Sequence, residues 1–193
     1  FPQLILPYFE DSILKRARKH ELIDIECINF REFATNTYQA VDNPPISGGA
    51  GQVLMFESLA YALWEARNSH IIFLSPCGKP FKQNDAARLA KKPHISFVCG
   101  RYEGFDERLI ECFGDEVFSI GDYILTGGEL GALCLADSIA RQIPNVLGNA
   151  DSLKGESFES HLLEAPNFAK NTSSFEKKIK NLQKFAIPSE YSK

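Results

Sequence analysis

Three short apolar runs, HIIFLSP from His70, HISFVCG from His94 and EVFSIG from Glu116, each end in a turn signal and are separated by stretches of helical periodicity. Near-continuous runs of this length are what strands buried on both faces look like, and strands alternating with helices build a parallel sheet covered by helices. This alternation is the strongest constraint on the chain. The helical stretches are Phe56, Leu59, Ala60, Leu63, Trp64 and Arg67 along one face, Asn84 to Lys91, the helix into which the turn of RYEGFDERLIECF leads, and GELGALCLADSIARQIP. Pro7 to His20 reads as an amphipathic helix and Ile23 to Phe30 as a further strand. NTYQAVDNPPISGGAGQ, rich in Gly, Pro, Asn and Ser, reads as a long loop. With 193 residues, 44% of them hydrophobic, one main core is expected.

Charge and cysteine content narrow the class. A net charge of −4 removes a whole-molecule basic signature while leaving a local basic face open. Cys27, Cys77, Cys99, Cys112 and Cys134 lie far apart without metal-ligand spacing, which disfavours a zinc ribbon or disulfide scaffold and fits a reducing cytoplasm. No apolar run reaches a membrane span of ~18 residues, so no membrane is expected. The chain begins without Met, so a strand upstream of Phe1 is expected to lie out of view. GxGxxG after a strand and GxxxxGK[ST] are both absent, which makes an ordinary dinucleotide or P-loop reading weak. What remains is three turns, LSPCG, CGRYEG and SIGDYILTGG, at the carboxyl ends of the buried strands, where ligand sites of open α/β sheets gather.

FVCGRYEGFDERL, followed by FSIGDYILTGGELGALCLADSIARQIPNVLGN, closely resembles the bacterial tRNA (guanine-N1)-methyltransferase family, TrmD. The likeness runs from the helix at Pro7 through the Gly-rich loop near Gly48 to SFESHLLEAPNF. It implies an α/β fold of the SPOUT type, a parallel sheet with helices on both faces, a deep C-terminal trefoil knot and a homodimer. It also implies methyl transfer from S-adenosyl-L-methionine to N1 of guanosine 37 of tRNA, next to the anticodon. The positions matching the family's donor site are Leu74, Ser75, Pro76, Gly100, Tyr102, Glu103, Ser119, Ile120, Gly121, Tyr123, Leu125, Gly127 and Gly128. Ile120, Tyr123 and Leu125 suit an adenine slot, and Tyr102 and Glu103 suit the ribose or the methionine end.

Neutral guanine N1 carries a proton and must lose it before attacking the methyl, while charge builds toward O6. The resemblance assigns O6 stabilisation to Arg141 and the base to Glu156, where the family has Asp; Asp151 is a competing carboxylate. Read without the family, Arg141 is equally well half of an intrahelical pair with Asp137. Asn43, Ser47 and Gly131 also depart from the family pattern. Residues 1–160 are expected to form the knotted catalytic domain, and 161–193 the linker and start of a tRNA-binding region cut short relative to the family. There Lys177, Lys178, Lys180 and Lys184 are either phosphate contacts or a solvated face. The Leu130 to Ala140 stretch is a candidate for the dimer core or for an intrachain core. A magnesium dependence is implied by the resemblance alone. A related knotted enzyme acting on another RNA, and a donor-binding module without turnover, are the competing readings.

Overall fold

The computed structural model describes residues 1–149 and, beyond them, 157, 158, 163, 166 and 169. Glu156, Asp151 and the four lysines between 177 and 184 lie outside the described residues. The chain divides into two compact units, Phe1–Leu162 and Leu163–Lys193. The description below concerns the first.

The three apolar runs form one parallel sheet. Strand β3 (His70–Pro80) lies at its centre, β4 (Ile95–Val98) on one side and β5 (Glu116–Ser119) on the other. Alternation along β3 sends Ile72 and Leu74 to one face and Ile71 and Phe73 to the other. The first face packs with Phe118 against α4 (Gln83–Leu89) and α6 (Glu129–Gln142) through Leu89, Leu135 and Ile139. The second packs against α3 (Phe56–Glu65) and α5 (Glu107–Phe113) through Leu59, Leu63 and Leu109. Helices therefore cover both faces. Asp106 starts α5 by accepting a hydrogen bond from the Arg108 amide, 3.1 Å away.

Four local expectations are corrected. The amphipathic stretch from Pro7 is not one helix: a short helix α1 (Pro2–Ile5) and a 3₁₀ turn (Leu6–Phe9) precede α2 (Ser12–Lys19). The break is at Asp11, which adopts an extended backbone and accepts from the Ser12 amide, 2.7 Å away. Ile23 to Phe30 is no strand; no ladder partner flanks it among the described residues, and Ile23 and Ile25 pack instead on the Phe9, Leu14 and Ala140 cluster. Within the long loop, β1 (Asp42–Asn43) and β2 (Val53–Leu54) pair antiparallel and pinch its base. LSPCG does not end its strand. The chain bulges out after Leu74 and rejoins β5 at Lys79, opposite Phe118.

A charge network ties that returning leg down. Glu116 accepts from Arg88 at 2.9 and 2.7 Å and from His70 Nε2 at 2.7 Å, and Lys79 Nζ lies 3.1 Å from both Glu116 and Asp85. Burial alone would raise the Glu116 carboxyl, but the bonds from Arg88, His70 and Lys79 outweigh it and hold it at about 2, against an ordinary 4.5. A depressed folded pKa stabilises the fold above the unfolded value, and that stability drains away as pH falls from 4.5 toward 2. The shift corresponds to about 3 kcal/mol at most. Glu116→Gln is expected to lower the melting temperature at neutral pH and to flatten its acid dependence over that window, as thermal unfolding followed by circular dichroism will show.

Candidate active site

The bulge within β3 and the turns after β4 and β5 meet on one side of the sheet. Leu74, the last residue of β3 before its bulge, and Cys99 and Ile120, just past the ends of β4 and β5, share a single apolar cluster and form the floor. Leu74 and Ile120 both reach Gly131, in the first turn of α6. The turn after β4 and the turn before α6 are joined by the Gly128 amide donating to the Gly100 carbonyl, 2.8 Å away, and by an antiparallel bridge between Arg101 and Gly127. The Gly-rich loop joins from a third direction: the Glu103 amide donates to the Gln52 carbonyl at 2.9 Å, and the Leu54 amide to the Gly104 carbonyl at 3.0 Å.

Each expected donor residue falls on or beside this convergence. Leu74 is buried at the last position before the bulge, and Ser75 and Pro76 are half-buried and exposed within it. Gly100 is half-buried; Tyr102 and Glu103 are exposed at the tip of their turn, where Tyr102 takes a left-handed φ of 60°. Such a backbone is costly for a bulky residue and is concentrated at functional sites. Ser119 is buried, and its hydroxyl both donates to the Gly121 carbonyl (3.1 Å) and accepts from the Gly121 amide (3.2 Å). The two bonds curl the chain immediately past β5. Tyr123 folds back over that curl, its hydroxyl donating to the Ile120 carbonyl at 3.1 Å, and stays 55% exposed beside exposed Leu125. Gly127 and Gly128 are half-buried at the head of α6.

These groups suit a bent, amphipathic donor. Apolar Ile120, Tyr123 and Leu125 flank turns whose backbone amides and carbonyls can read a purine edge, and Glu103 supplies a carboxylate for an ammonium or a ribose. The Cys99 thiol beneath them is pushed up to about 12 by burial and by the Glu129 carboxylate, so it is no nucleophile at neutral pH. Among the described residues no group of three or more His, Cys, Asp or Glu is placed to hold a metal ion, and no helix is long and apolar enough to cross a membrane.

Arg141 is not beside these turns in its own chain. It sits in the last turn of α6, twelve residues beyond Glu129, so at 1.5 Å per residue it lies roughly 18 Å along the axis from the turn that precedes the helix. One turn before it, Asp137 accepts a 2.5 Å hydrogen bond from the Tyr8 hydroxyl, and that bond, with partial burial, raises the phenol. The same helix, which touches α1, leaves Leu130 59% exposed and Cys134 exposed, and Leu4 of α1 is exposed as well.

Two residues that tie these turns together, outside the expected donor positions, were not legible in the chain: Arg101 and Glu129, whose side chains pair at 3.0 Å across the two joined turns. The available signal was an acid opening a helix whose next seven residues are apolar, directly after paired glycines.

Comparison with known proteins places the chain. It is 63% identical to a tRNA (guanine-N(1)-)-methyltransferase of Helicobacter hepaticus over 193 residues, covering 100% of this chain and 78% of that protein. It is 61% identical to the protein so named from Helicobacter pylori strain Shi470 over 194 residues, covering 83% of it, and 54% identical to that of Wolinella succinogenes over 198 residues, covering 80%. All of residues 1–193 match the family described as tRNA (Guanine-1)-methyltransferase TrmD, and with strand-end glycine turns converging where such an enzyme needs them, the chain belongs to that family.

Proposed function

We propose that this protein transfers a methyl group from S-adenosyl-L-methionine to N1 of a guanosine in tRNA, at position 37 beside the anticodon. The observation that carries this reading is the meeting of the LSPCG, CGRYEG and SIGDYILTGG turns over the Leu74, Cys99 and Ile120 floor. Bound there, the donor supplies an electrophilic methyl on a sulfonium. The protein's own part is to hold the guanine edge toward it, remove the N1 proton and answer the charge that moves to O6. Glu156 takes the proton, becoming a neutral carboxylic acid. N1 then forms the new bond to carbon as the carbon–sulfur bond breaks onto sulfur, leaving S-adenosyl-L-homocysteine and a methylated base. Arg141 donates to O6 as that charge develops.

The distance along α6 supports a site built by two copies. A homodimer that packs α6 against a second α6 brings Arg141 of one copy toward the donor turns of the other, and it covers exposed Leu130, Leu4 and the open side of Cys134. The reading includes a SPOUT fold with its trefoil knot over residues 1–160, supported by family membership. It further includes residues 161–193 leading into a tRNA-binding region, and a cytoplasmic setting in keeping with five unpaired cysteines. Glu156→Gln is expected to bind S-adenosyl-L-homocysteine as tightly as the parent while lowering single-turnover methylation by about 10²-fold or more. Parent-like methylation by that variant, or equal methylation of a tRNA lacking guanosine 37, overturns the assignment.

A further inference from the structure

Glu129 is a charged residue only 8% exposed at the first position of a 14-residue helix, and its Gly128 N-cap offers no side-chain cap. The placement is electrostatically sound, since a carboxylate at a helix N-terminus meets the positive end of the helix dipole. Its partner is not in its own helix. Arg101, 28 residues earlier and in the turn after β4, donates from Nε to Glu129 Oε1 at 3.0 Å. The guanidinium carbon of Arg101 also lies 4.3 Å from the centre of the Phe1 ring, so the side chain is held from two sides. Gly127 sits directly beneath: a Cβ there would fall 2.3 Å from Glu129 Oε2 and 3.1 Å from Arg101 Nε. Among the described residues the backbone at that point contributes little on its own, a single hydrogen bond from the Gly128 amide to the Gly100 carbonyl and one isolated bridge.

We infer that the Arg101–Glu129 pair is a positioning clamp that fixes the spacing of the two turns between which the methyl donor binds. This rests on the donor-site reading above. A buried ion pair adds little net stability against an apolar replacement, yet the loss of one partner strands a buried charge. Its separable contribution here is geometric. The pair joins the residue beside Gly100 to the residue beside Gly128, so its rupture lets the slot widen without unfolding the sheet, whose core lies below Leu74 and Phe118. The expected consequence is a weaker donor site with chemistry intact once the donor is bound. A merely structural role predicts the reverse: fewer active molecules, hence lower kcat with donor KM and affinity unchanged.

The test uses the full chain and S-adenosyl-L-homocysteine as probe, with calorimetry for its Kd and steady-state methylation of tRNA for kcat and both KM values. Glu129→Gln and Arg101→Lys are expected to raise the probe Kd and the donor KM by about 10-fold or more, to leave the tRNA KM within about twofold, and to keep kcat at saturating donor within about threefold. Arg101→Lys keeps the charge at a partly exposed position and serves where Glu129→Gln fails to fold. Donor affinity within twofold of the parent in either folded variant overturns the clamp. A parent protein that neither binds the probe nor methylates tRNA overturns the donor-site reading and the clamp with it, whereas a parent that does both alongside variants that bind equally well overturns the clamp alone.

Discussion

Arg141→Ala is expected to lower single-turnover methyl transfer by about 10²–10³-fold at saturating donor while leaving the Kd for S-adenosyl-L-homocysteine within about threefold. The magnitude follows from the chemistry. When guanine N1 gives up its proton, the electron pair delocalises onto O6, and a preorganised donor aimed at such an oxygen lowers barriers by about 3–4 kcal/mol. Arg141 sits in the last turn of α6, where a cation also meets the negative end of the helix dipole, worth about 1 kcal/mol or less. Arg141→Lys is expected to recover only part of the rate, because an ammonium keeps the charge but not the planar fork. Since the residue lies roughly 18 Å along α6 from the donor turn of its own chain, the same variant tests the two-copy site. Mixing Arg141→Ala with Glu103→Ala chains should restore about a quarter of the parent rate through mixed dimers, as one intact site per heterodimer requires. Parent-like single-turnover rates in Arg141→Ala would remove it from the chemistry.

Gly78→Ala is expected to damage both fold and site. Gly78 ends the bulge through which the chain leaves and rejoins the sheet, and a Cβ there would lie 2.6, 2.7 and 2.8 Å from the carbonyl carbon, nitrogen and Cα of Phe118. These are backbone atoms of β5, so no rotamer change relieves the clash and the strands must part. Overpacking of this kind costs about 1–3 kcal/mol. The displaced leg carries Lys79, which bridges Asp85 and Glu116, and Pro80, which pairs with Ser119. Ser119 in turn shapes the curl at Gly121. A loss of several degrees in melting temperature and a weakening of probe binding by about tenfold or more are expected together, measured by thermal unfolding and calorimetry. Gly148→Ala is the control: among the described residues a Cβ there meets only Arg16 Nη2 at an ordinary 3.5 Å, and both quantities should stay close to those of the parent.

The alternation of strand and helix was legible in the chain because it rests on local periodicity. HIIFL, ISFV and EVFS are strands, and the helices beside them bury the residues that recur at helical spacing. The glycines and the turns they close were equally visible, since punctuation of the backbone is a property of single residues. Ile23 to Phe30 alternates as a strand does, yet a strand exists only with a neighbour to share its hydrogen bonds, and periodicity says nothing of neighbours. The helix from Pro7 failed for the opposite reason: the apolar spacing is continuous, but Asp11 offers its carboxylate to the next amide and restarts the helix there.

What the order of residues determined by itself was therefore the class of fold, the sheet core and the glycine-bearing turns along the three strands. Tertiary structure alone decided that LSPCG is a detour within β3, because only the approach of β5 to Gly78 defines where the strand resumes. It alone paired Arg101 with Glu129 and Glu116 with Arg88, His70 and Lys79, contacts spanning 28 to 46 positions. It also set Arg141 at the far end of the helix that begins after the SIGDYILTGG turn. The physical reason is the same in each case: spacing along a chain encodes which face of an element is apolar, whereas the partner of a charge or a backbone edge is chosen by the packing of elements in space.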